Sequence, residues 1–197
     1  GSLEKLSVQF AEIFAEIHQI PIENNALSAL GKPVGFVERQ VAGWIERYEK
    51  CKTEDLPAMR KTMDFLQNTV NSASFGQRPG ANEATLLHND FKHDNLIFQK
   101  IGDENLDLRA VLDWEMAALG DPLMDLGTSL GYWFEAGEEM PGFSGPTTAK
   151  GHFSRRELAG FYAEKTGRSP DWLVFYYAFG LFKICVIAQQ IFARWKM

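Results

Sequence analysis

The sequence predicts an α+β protein that is mainly α-helical. Helical patterns fill the first part of the chain, short apolar runs follow between about residues 85 and 112, and helical patterns close the sequence. A hydrophobic fraction of 45% over 197 residues is enough for a buried core. Short strands between helical segments indicate a helical domain that carries a small β insertion.

The helices before the β insertion are predicted from apolar residues that recur at three- and four-residue steps. These patterns lie within residues 6–17, 34–48 and 56–70, and Pro57 is tolerated because it stands near a helix start. Residues 71–84 are rich in Ser, Asn, Gly and Pro, so a loop is expected there.

The β insertion is predicted from short apolar runs at residues 85–88, 96–98 and 108–112. The turn-rich segment Gly102-Asp103-Glu104-Asn105 separates the last two runs. We therefore expect these two strands to pair as a hairpin.

The remainder of the chain is predicted to be helical around one long loop. Asp121-Pro122 is typical of a helix start, with Asp as N-cap and Pro at the first helical position, and this helix should end near residue 134. Residues 135–151 are rich in Gly and Pro and are predicted to form a surface loop. The closing helices are predicted at residues 155–166 and 171–194.

Composition and charge narrow the class of protein. The 20 basic and 26 acidic residues give a net charge of −6, which argues against nonspecific nucleic-acid binding. Cys51 and Cys185 are too few for a disulfide framework or a zinc site, so a cytoplasmic protein is expected. Residues 172–193 are strongly apolar, but Lys183 within them favours a buried helix over a membrane span. The oligomeric state is not predicted.

The most informative residues lie at the ends of the predicted strands. His88, Asp90 and Asn95 form an H-x-D-x-x-x-x-N pattern in a polar loop, and Asp113 ends the next apolar run. If the hairpin forms, Asp113 returns to the level of Asn95, and the two side chains can bind one Mg²⁺ through oxygen ligands. Asp90 can then face an incoming hydroxyl group.

These groups suit phosphoryl transfer from ATP to a hydroxyl. A carboxylate with a pKa of about 3.9 is a weak base, but this reaction depends mainly on positioning and charge stabilisation. Lys92 can stabilise charge on the transferring phosphoryl group. Each residue alone is explained more simply as a cap or a solvated loop charge, whereas the combination favours a functional site.

A family resemblance becomes specific at these residues. The segments 88–98, 111–115 and 120–127 resemble the aminoglycoside phosphotransferase family, which is itself similar to choline kinases and to the wider protein-kinase-like fold. The resemblance implies that residues 1–197 form the C-terminal lobe of such a fold, with a small β-hairpin that carries the catalytic loop. It also implies ATP- and Mg²⁺-dependent transfer of the γ-phosphoryl group to a small-molecule hydroxyl.

The resemblance assigns roles to the polar residues. It implies that Asp90 is the catalytic base, that Asn95 and Asp113 are the Mg²⁺ ligands, and that His88 braces the loop. Asp125 would hold the loop backbone from the helix behind it, although an ordinary first-turn Asp explains it equally well.

The neighbouring polar residues carry less definite expectations. Glu115 is either a support for the metal site or a plain salt-bridge partner. His93 and Asp94 are expected to be solvated loop residues, and His18 and His152 to be structural or surface residues.

Part of a kinase site is not recognisable. No Gly-rich phosphate loop, no strand lysine with a helix glutamate partner and no adenine-binding hinge can be assigned before residue 18. We therefore expect that the N-terminal, nucleotide-binding lobe is absent from this chain, that the 197 residues alone have little or no kinase activity, and that the parent protein is a kinase.

Other readings of the sequence remain open. The His93-Asp94 dyad suggests an HD-type metal phosphohydrolase, and the missing lobe suggests a catalytically inactive kinase-like interaction module. The phosphoryl acceptor cannot be read from the sequence. An acceptor pocket is expected around residues 125–140 and 170–195. Its candidate lining residues are Trp133, Phe134, Glu135, Trp172 and Tyr176, although aromatic residues in such a pattern more often belong to the core.

Overall fold

The computed structural model describes residues 2–23, 26–102, 105–138 and 145–196. Over these residues the chain is mainly helical, with short antiparallel strands in the middle. The helices are α1 (Ser2–Ile17), α2 (Phe36–Cys51), α3 (Pro57–Val70), α4 (Ala73–Gly76), α5 (Pro122–Tyr132), α6 (Arg155–Thr166) and α7 (Leu173–Lys196). The strands are β1 (Thr85–Leu87), β2 (Leu96–Ile101), β3 (Asn105–Val111) and β4 (Ala118–Gly120).

The structure confirms the predicted fold class and most of the predicted elements. Asp121 caps α5 by accepting a hydrogen bond from the Leu123 amide at 2.9 Å, and Pro122 is the first helical residue. Helix α5 ends at Tyr132, two residues earlier than predicted, because the backbone turns extended at Trp133. The four-residue α4 and the three-residue β4 were not predicted, since such short elements leave no periodic signal.

The strands form separate antiparallel pairs. The predicted hairpin of β2 and β3 is confirmed, with Leu96 opposite Val111 and a register shift between Ile97 and Phe98. Two residues of its predicted turn, Asp103 and Glu104, lie outside the described residues, as do residues 139–144 of the predicted long loop. Strand β1 pairs with β4, and Thr85 lies opposite Gly120.

Two hydrophobic clusters fill the interior on either side of β1. One cluster joins α2, α3 and α7 and includes Leu87, whereas the other joins α1, α5 and α6 and includes Leu86. Adjacent strand residues face opposite sides, so β1 contributes to both clusters. The strand therefore leads the chain out of the interior between the two clusters, and the polar loop begins at its end.

Helices α5 and α7 cross in direct backbone contact. A Cβ atom added to Gly180 would lie 2.1 Å from the carbonyl oxygen of Gly127. Only residues without a side chain allow this approach, so the glycine pair sets the spacing of the two helices. Helix α7 also has the length and hydropathy of a membrane-crossing helix, but core helices pass the same test. Here its residues Phe175, Phe179 and Val186 are buried in the first cluster.

Candidate active site

The polar loop of residues 88–95 leaves β1 and returns into β2. Its middle is anchored by Phe91, whose fully buried ring stacks on Phe14 with centroids 4.4 Å apart. The Ser129 hydroxyl donates to the Phe91 carbonyl at 2.8 Å. At its end, the Asn95 carbonyl accepts from the Leu112 amide at 2.8 Å. This contact brings Asp113 beside Asn95, as the hairpin prediction requires.

Asp125 holds the start of the loop from α5. Its Oδ2 accepts from the His88 amide at 2.7 Å, and its Oδ1 accepts from the Asn89 amide at 2.9 Å. The carboxylate is fully buried and lies in the first turn of α5, where the helix dipole favours a negative charge. The contact with the loop backbone that the resemblance implied for Asp125 is thus present.

A buried polar chain supports Asp125 from behind. His18, at the end of α1, lies 3.2 Å from Asp125 through Nε2, and its Nδ1 lies 2.6 Å from the Tyr162 hydroxyl. Burial lowers the pKa of His18, against the opposing effect of Asp125, and so favours a neutral ring that donates to the carboxylate. Arg168 continues the chain to the His18 carbonyl and to Glu83. The expected structural or surface role of His18 did not include this polar chain, because its members lie far apart in the sequence.

His88 braces the loop rather than facing a ligand. Its ring is completely buried, and its Nε2 lies 2.8 Å from the Leu112 carbonyl at the end of the hairpin. The Asp90 amide donates to His88 Nδ1 at 3.2 Å, so Nε2 carries the proton and is the donor to Leu112. His88 therefore links the loop to the segment that bears Asp113.

Asp90 is half-buried, and its carboxylate contacts Lys92 and Asn95 of the same loop. Lys92 Nζ lies 2.8 and 3.1 Å from its carboxylate oxygens. The Asn95 amide nitrogen donates to the Asp90 carboxylate at 3.0 Å and to its carbonyl at 2.8 Å. Tyr132 borders the same group, and burial together with the charge and hydrogen bond of Asp90 raises the pKa of Tyr132 to about 12.

The donor set at Asn95 and Asp113 fits a Mg²⁺ ion. The Asn95 amide directs its nitrogen at Asp90, so its oxygen is the atom that remains for a cation. Asp113 is exposed and adds a carboxylate, and oxygen is the ligand that Mg²⁺ prefers. Glu115 is also exposed and lies in the short turn that follows Asp113.

The backbone is strained on both sides of this site. Among the described residues other than glycine, only Asn89 and Asp113 have a positive φ, of 66° and 64°. Asn and Asp tolerate this conformation better than other side chains do, and such residues concentrate at functional sites. The Asn89 side chain also donates to the Met116 carbonyl at 2.8 Å and so ties the loop to the turn after Asp113.

Lys183 of α7 also reaches the loop, from a different helix than Asp125 does. Its ammonium donates to the Asn89 carbonyl at 2.7 Å, and the residue is only 4% exposed. In the sequence, Lys183 stands out only as a charge in an apolar helix. That exception was the available signal, because a buried lysine requires a polar partner.

One expectation from the sequence is wrong. His93 is not a solvated loop residue, because its ring stacks on Phe10 with centroids 4.9 Å apart, and burial lowers its pKa to about 4. Asp94 is exposed, as expected. The dyad of a metal phosphohydrolase is therefore not assembled, and no group of three His, Cys, Asp or Glu side chains suited to a metal occurs among the residues that the structure describes.

The candidate pocket aromatics are largely core residues. Trp133 and Tyr176 are 1% and 0% exposed and belong to the two hydrophobic clusters. Trp172 packs against the first cluster, and Glu135 accepts from the Arg155 amide at 2.6 Å. These contacts assign Trp133 and Tyr176 to packing rather than to an acceptor pocket.

Comparison with known proteins agrees with this geometry. The sequence matches the profile of the phosphotransferase enzyme family over residues 2–161. It is similar to the structure of a putative aminoglycoside phosphotransferase from Ralstonia eutropha JMP134, at 30% identity and a TM-score of 0.77, over 95% of this chain and 56% of that chain. Choline kinase from Cryptosporidium parvum Iowa II shares the fold at 14% identity and a TM-score of 0.55, over 99% of this chain and 65% of that chain.

Other similar proteins are named as acyl-CoA dehydrogenase family members and not as phosphotransferases. The chain is 30% identical over 194 residues to acyl-CoA dehydrogenase family member 11 of Homo sapiens, covering 96% of this chain and 24% of that protein. It is 30% identical over 195 residues to acyl-CoA dehydrogenase family member 10 of Mus musculus, covering 97% of this chain and 17% of that protein. The chain thus spans about a quarter or less of the length of these relatives.

Proposed function

The chain belongs to the phosphotransferase enzyme family, and we propose that it carries the hydroxyl-activating and metal-binding part of an ATP-dependent small-molecule kinase. One observation supports this most directly. The Asp90 carboxylate is held between the Lys92 ammonium and the Asn95 amide, on a loop whose backbone Asp125 fixes. Kinase chemistry requires such a positioned carboxylate more than it requires a strong base.

Asp90 acts on the acceptor hydroxyl in the proposed reaction. As the hydroxyl oxygen bonds to the γ-phosphorus of ATP, its proton passes to the Asp90 carboxylate, and the bond from the γ-phosphorus to the bridging oxygen breaks to leave ADP. Lys92, 2.8 Å from Asp90, supplies positive charge where the transferring group carries negative charge. His88 and Asp125 do not touch the reactants in this scheme; they hold the loop.

Asn95 and Asp113 would hold the magnesium ion. When bound, Mg²⁺ supplies charge neutralisation at the phosphate oxygens. The hydrogen bond from the Leu112 amide to the Asn95 carbonyl supports this assignment, because it holds the residue before Asp113 next to Asn95. Glu115 follows within the same turn and is proposed to support the site without binding the ion.

For the acceptor, we favour a hydroxyacyl thioester over an aminoglycoside or an amino alcohol. The support comes from the relatives named acyl-CoA dehydrogenase family members, which contain a segment similar to nearly all of this chain. A kinase-like segment within such proteins is expected to act on a substrate of the same chemical class. The family itself does not select among these acceptors.

The proposed kinase needs parts that this sequence does not show. The chain aligns with 56% and 65% of the two solved phosphotransferases, so the remainder of each lies outside the alignment. No Gly-rich loop or strand lysine is recognisable in the 197 residues. We therefore expect little or no transfer by this chain alone and full transfer by the full-length product of its gene.

The test measures transfer of labelled γ-phosphate from ATP to hydroxyacyl thioesters, amino alcohols and aminoglycosides by the full-length product. Asp90→Asn should lower kcat about 100- to 10,000-fold, the usual range for loss of a positioned acid or base. Asp64→Asn, at an exposed position of α3, is the matched control and should leave kcat unchanged.

Two outcomes would contradict the proposal. An Asp90→Asn enzyme with unchanged turnover would remove Asp90 from the reaction. No transfer to any acceptor by the full-length product would instead favour the catalytically inactive kinase-like interaction module.

A further inference from the structure

Lys183 is a buried charge in an otherwise apolar helix. The residue is 4% exposed and stands between Phe182 and Val186, which are also buried. Its hydrogen bond to the Asn89 carbonyl, at 2.7 Å, is to a neutral group. No carboxylate of the described residues forms an ion pair with it, although Asp125 and Asp90 are near enough to favour its charged form against burial. The Trp44 ring, with its centroid 5.6 Å from the ammonium, adds a cation–π contact. Burial of an ammonium without an ion-pair partner still destabilises a fold, so a role for Lys183 beyond stability is indicated.

The residue that Lys183 holds is the strained residue before Asp90. Asn89 has a φ of 66°, a conformation that is unfavourable for a residue with a side chain. Its amide donates to the Asp125 carboxylate and its carbonyl accepts from the Lys183 ammonium. Both backbone groups of Asn89 are therefore bound by charged side chains from different helices.

The helix crossing sets the distance between these two side chains. Asp125 lies two residues before Gly127 on α5, and Lys183 lies three residues after Gly180 on α7. Gly127 and Gly180 are the residues at which the two helices touch. Residues three apart share a helix face, so Lys183 projects from the same face as Gly180 and reaches the loop that Asp125 also binds.

We propose that Lys183 is a positioning residue for the catalytic loop, whose ammonium fixes the Asn89–Asp90 peptide so that the Asp90 carboxylate faces the acceptor hydroxyl. This inference rests on the proposed function of Asp90. Asp125 binds the amide side of Asn89 and Lys183 binds its carbonyl side, so the peptide that leads into Asp90 cannot rotate without breaking a hydrogen bond to a charged group.

The test compares Lys183→Met with the wild-type chain by amide hydrogen exchange and by urea unfolding. The Asp90 amide is the reporter because it belongs to the same peptide as the Asn89 carbonyl. The Asp90 amide itself donates to His88 Nδ1, and the carbonyl of the same peptide accepts from Lys183. In Lys183→Met the peptide loses the second bond, which is to a charged group, so we expect the Asp90 amide to exchange at least about tenfold faster. We expect the free energy of unfolding to change little, because the removal of a buried charge offsets the loss of a partner for the Asn89 carbonyl.

Two further variants isolate the charge. Lys196→Met, near the exposed end of the same helix, should change neither measurement. Lys183→Arg keeps the charge and the donors and should retain most of the protection at Asp90. Loss of protection with Arg as large as with Met would assign the effect to side-chain shape and overturn the proposal.

Other results would also overturn it. Wild-type exchange at Asp90 in Lys183→Met shows that the ammonium does not fix the peptide. A Lys183→Met chain that is destabilised or fails to fold shows that Lys183 stabilises the whole fold instead. Both measurements are made without substrate, so they fail or succeed separately from the phosphotransfer assay that tests the proposed function.

Discussion

Replacement of Asp125 by asparagine tests the central support of the candidate site. The two residues have nearly the same shape, but the asparagine side chain has one acceptor oxygen where the carboxylate has two. Asp125 uses one oxygen for the Asn89 amide and the other for the His88 amide. Either orientation of the new amide therefore turns an NH₂ group toward one backbone N–H and leaves that buried donor without a partner.

The expected loss follows from these contacts. A buried donor without a partner costs about 1–3 kcal/mol, and a hydrogen bond to a charged group contributes about 1.5–3 kcal/mol, more than a neutral one. Asp125→Asn leaves one backbone amide without a partner and weakens the other, and it also removes the charge that faces His18. We therefore expect the free energy of unfolding to fall by about 3 kcal/mol.

Urea unfolding followed by circular dichroism measures this loss. Asp64→Asn, at an exposed position of α3, makes the same chemical change outside the network and should alter the free energy of unfolding by less than about 0.5 kcal/mol. If Asp125→Asn lowered the free energy of unfolding no more than this control does, the hydrogen bonds from Asp125 to the loop backbone would not stabilise the fold as proposed.

Two further predictions concern a buried histidine and a helix crossing. Burial, with a smaller effect of the His152 charge, lowers the pKa of His93 from 6.5 to about 4, so the unfolded chain binds more protons between these pH values. The neutral His93 ring therefore costs no stability above pH 6.5, and the free energy of unfolding falls as the pH drops from 6.5 toward 4. His93→Phe should reduce this acid-induced fall by about 3 kcal/mol. Urea unfolding at several pH values measures it, and an unchanged pH dependence in the variant would contradict the prediction. Gly180→Ala places a Cβ atom against the Gly127 carbonyl and should destabilise the chain by about 3 kcal/mol or more in thermal unfolding. In the control Gly160→Ala, the new Cβ atom meets no atom within 4 Å and should stabilise the chain by about 0.5–1 kcal/mol. Equal effects of the two substitutions would refute the close helix crossing.

Short-range spacing determined a large part of the site. Asp90 and Asn95 stand five residues apart in one loop, so local sequence already placed them together. Asp113 joined them because an antiparallel hairpin brings its two outer ends to the same level, and the pairing of Leu96 with Val111 confirms that geometry. The Asp121-Pro122 helix start likewise depends only on adjacent residues.

Two supports of the site, His18 and Lys183, could not be predicted in this way. His18 and Lys183 contact residues more than 90 positions away in the sequence. Whether they reach the loop depends on how helices cross, and no periodic pattern encodes a crossing. The burial of His93 also depends on tertiary packing, because this polar loop residue packs on Phe10 of α1.

The sequence by itself determined the mainly helical α+β class, the family and the loop that carries Asp90, because helical periodicity, turn chemistry and motif spacing are local properties. Only the tertiary structure decided how that loop is held. Asp125 and Lys183 bind the two sides of Asn89 because α5 and α7 touch at Gly127 and Gly180. The physical reason is that a hydrogen bond between distant segments depends on the packing distance between helices.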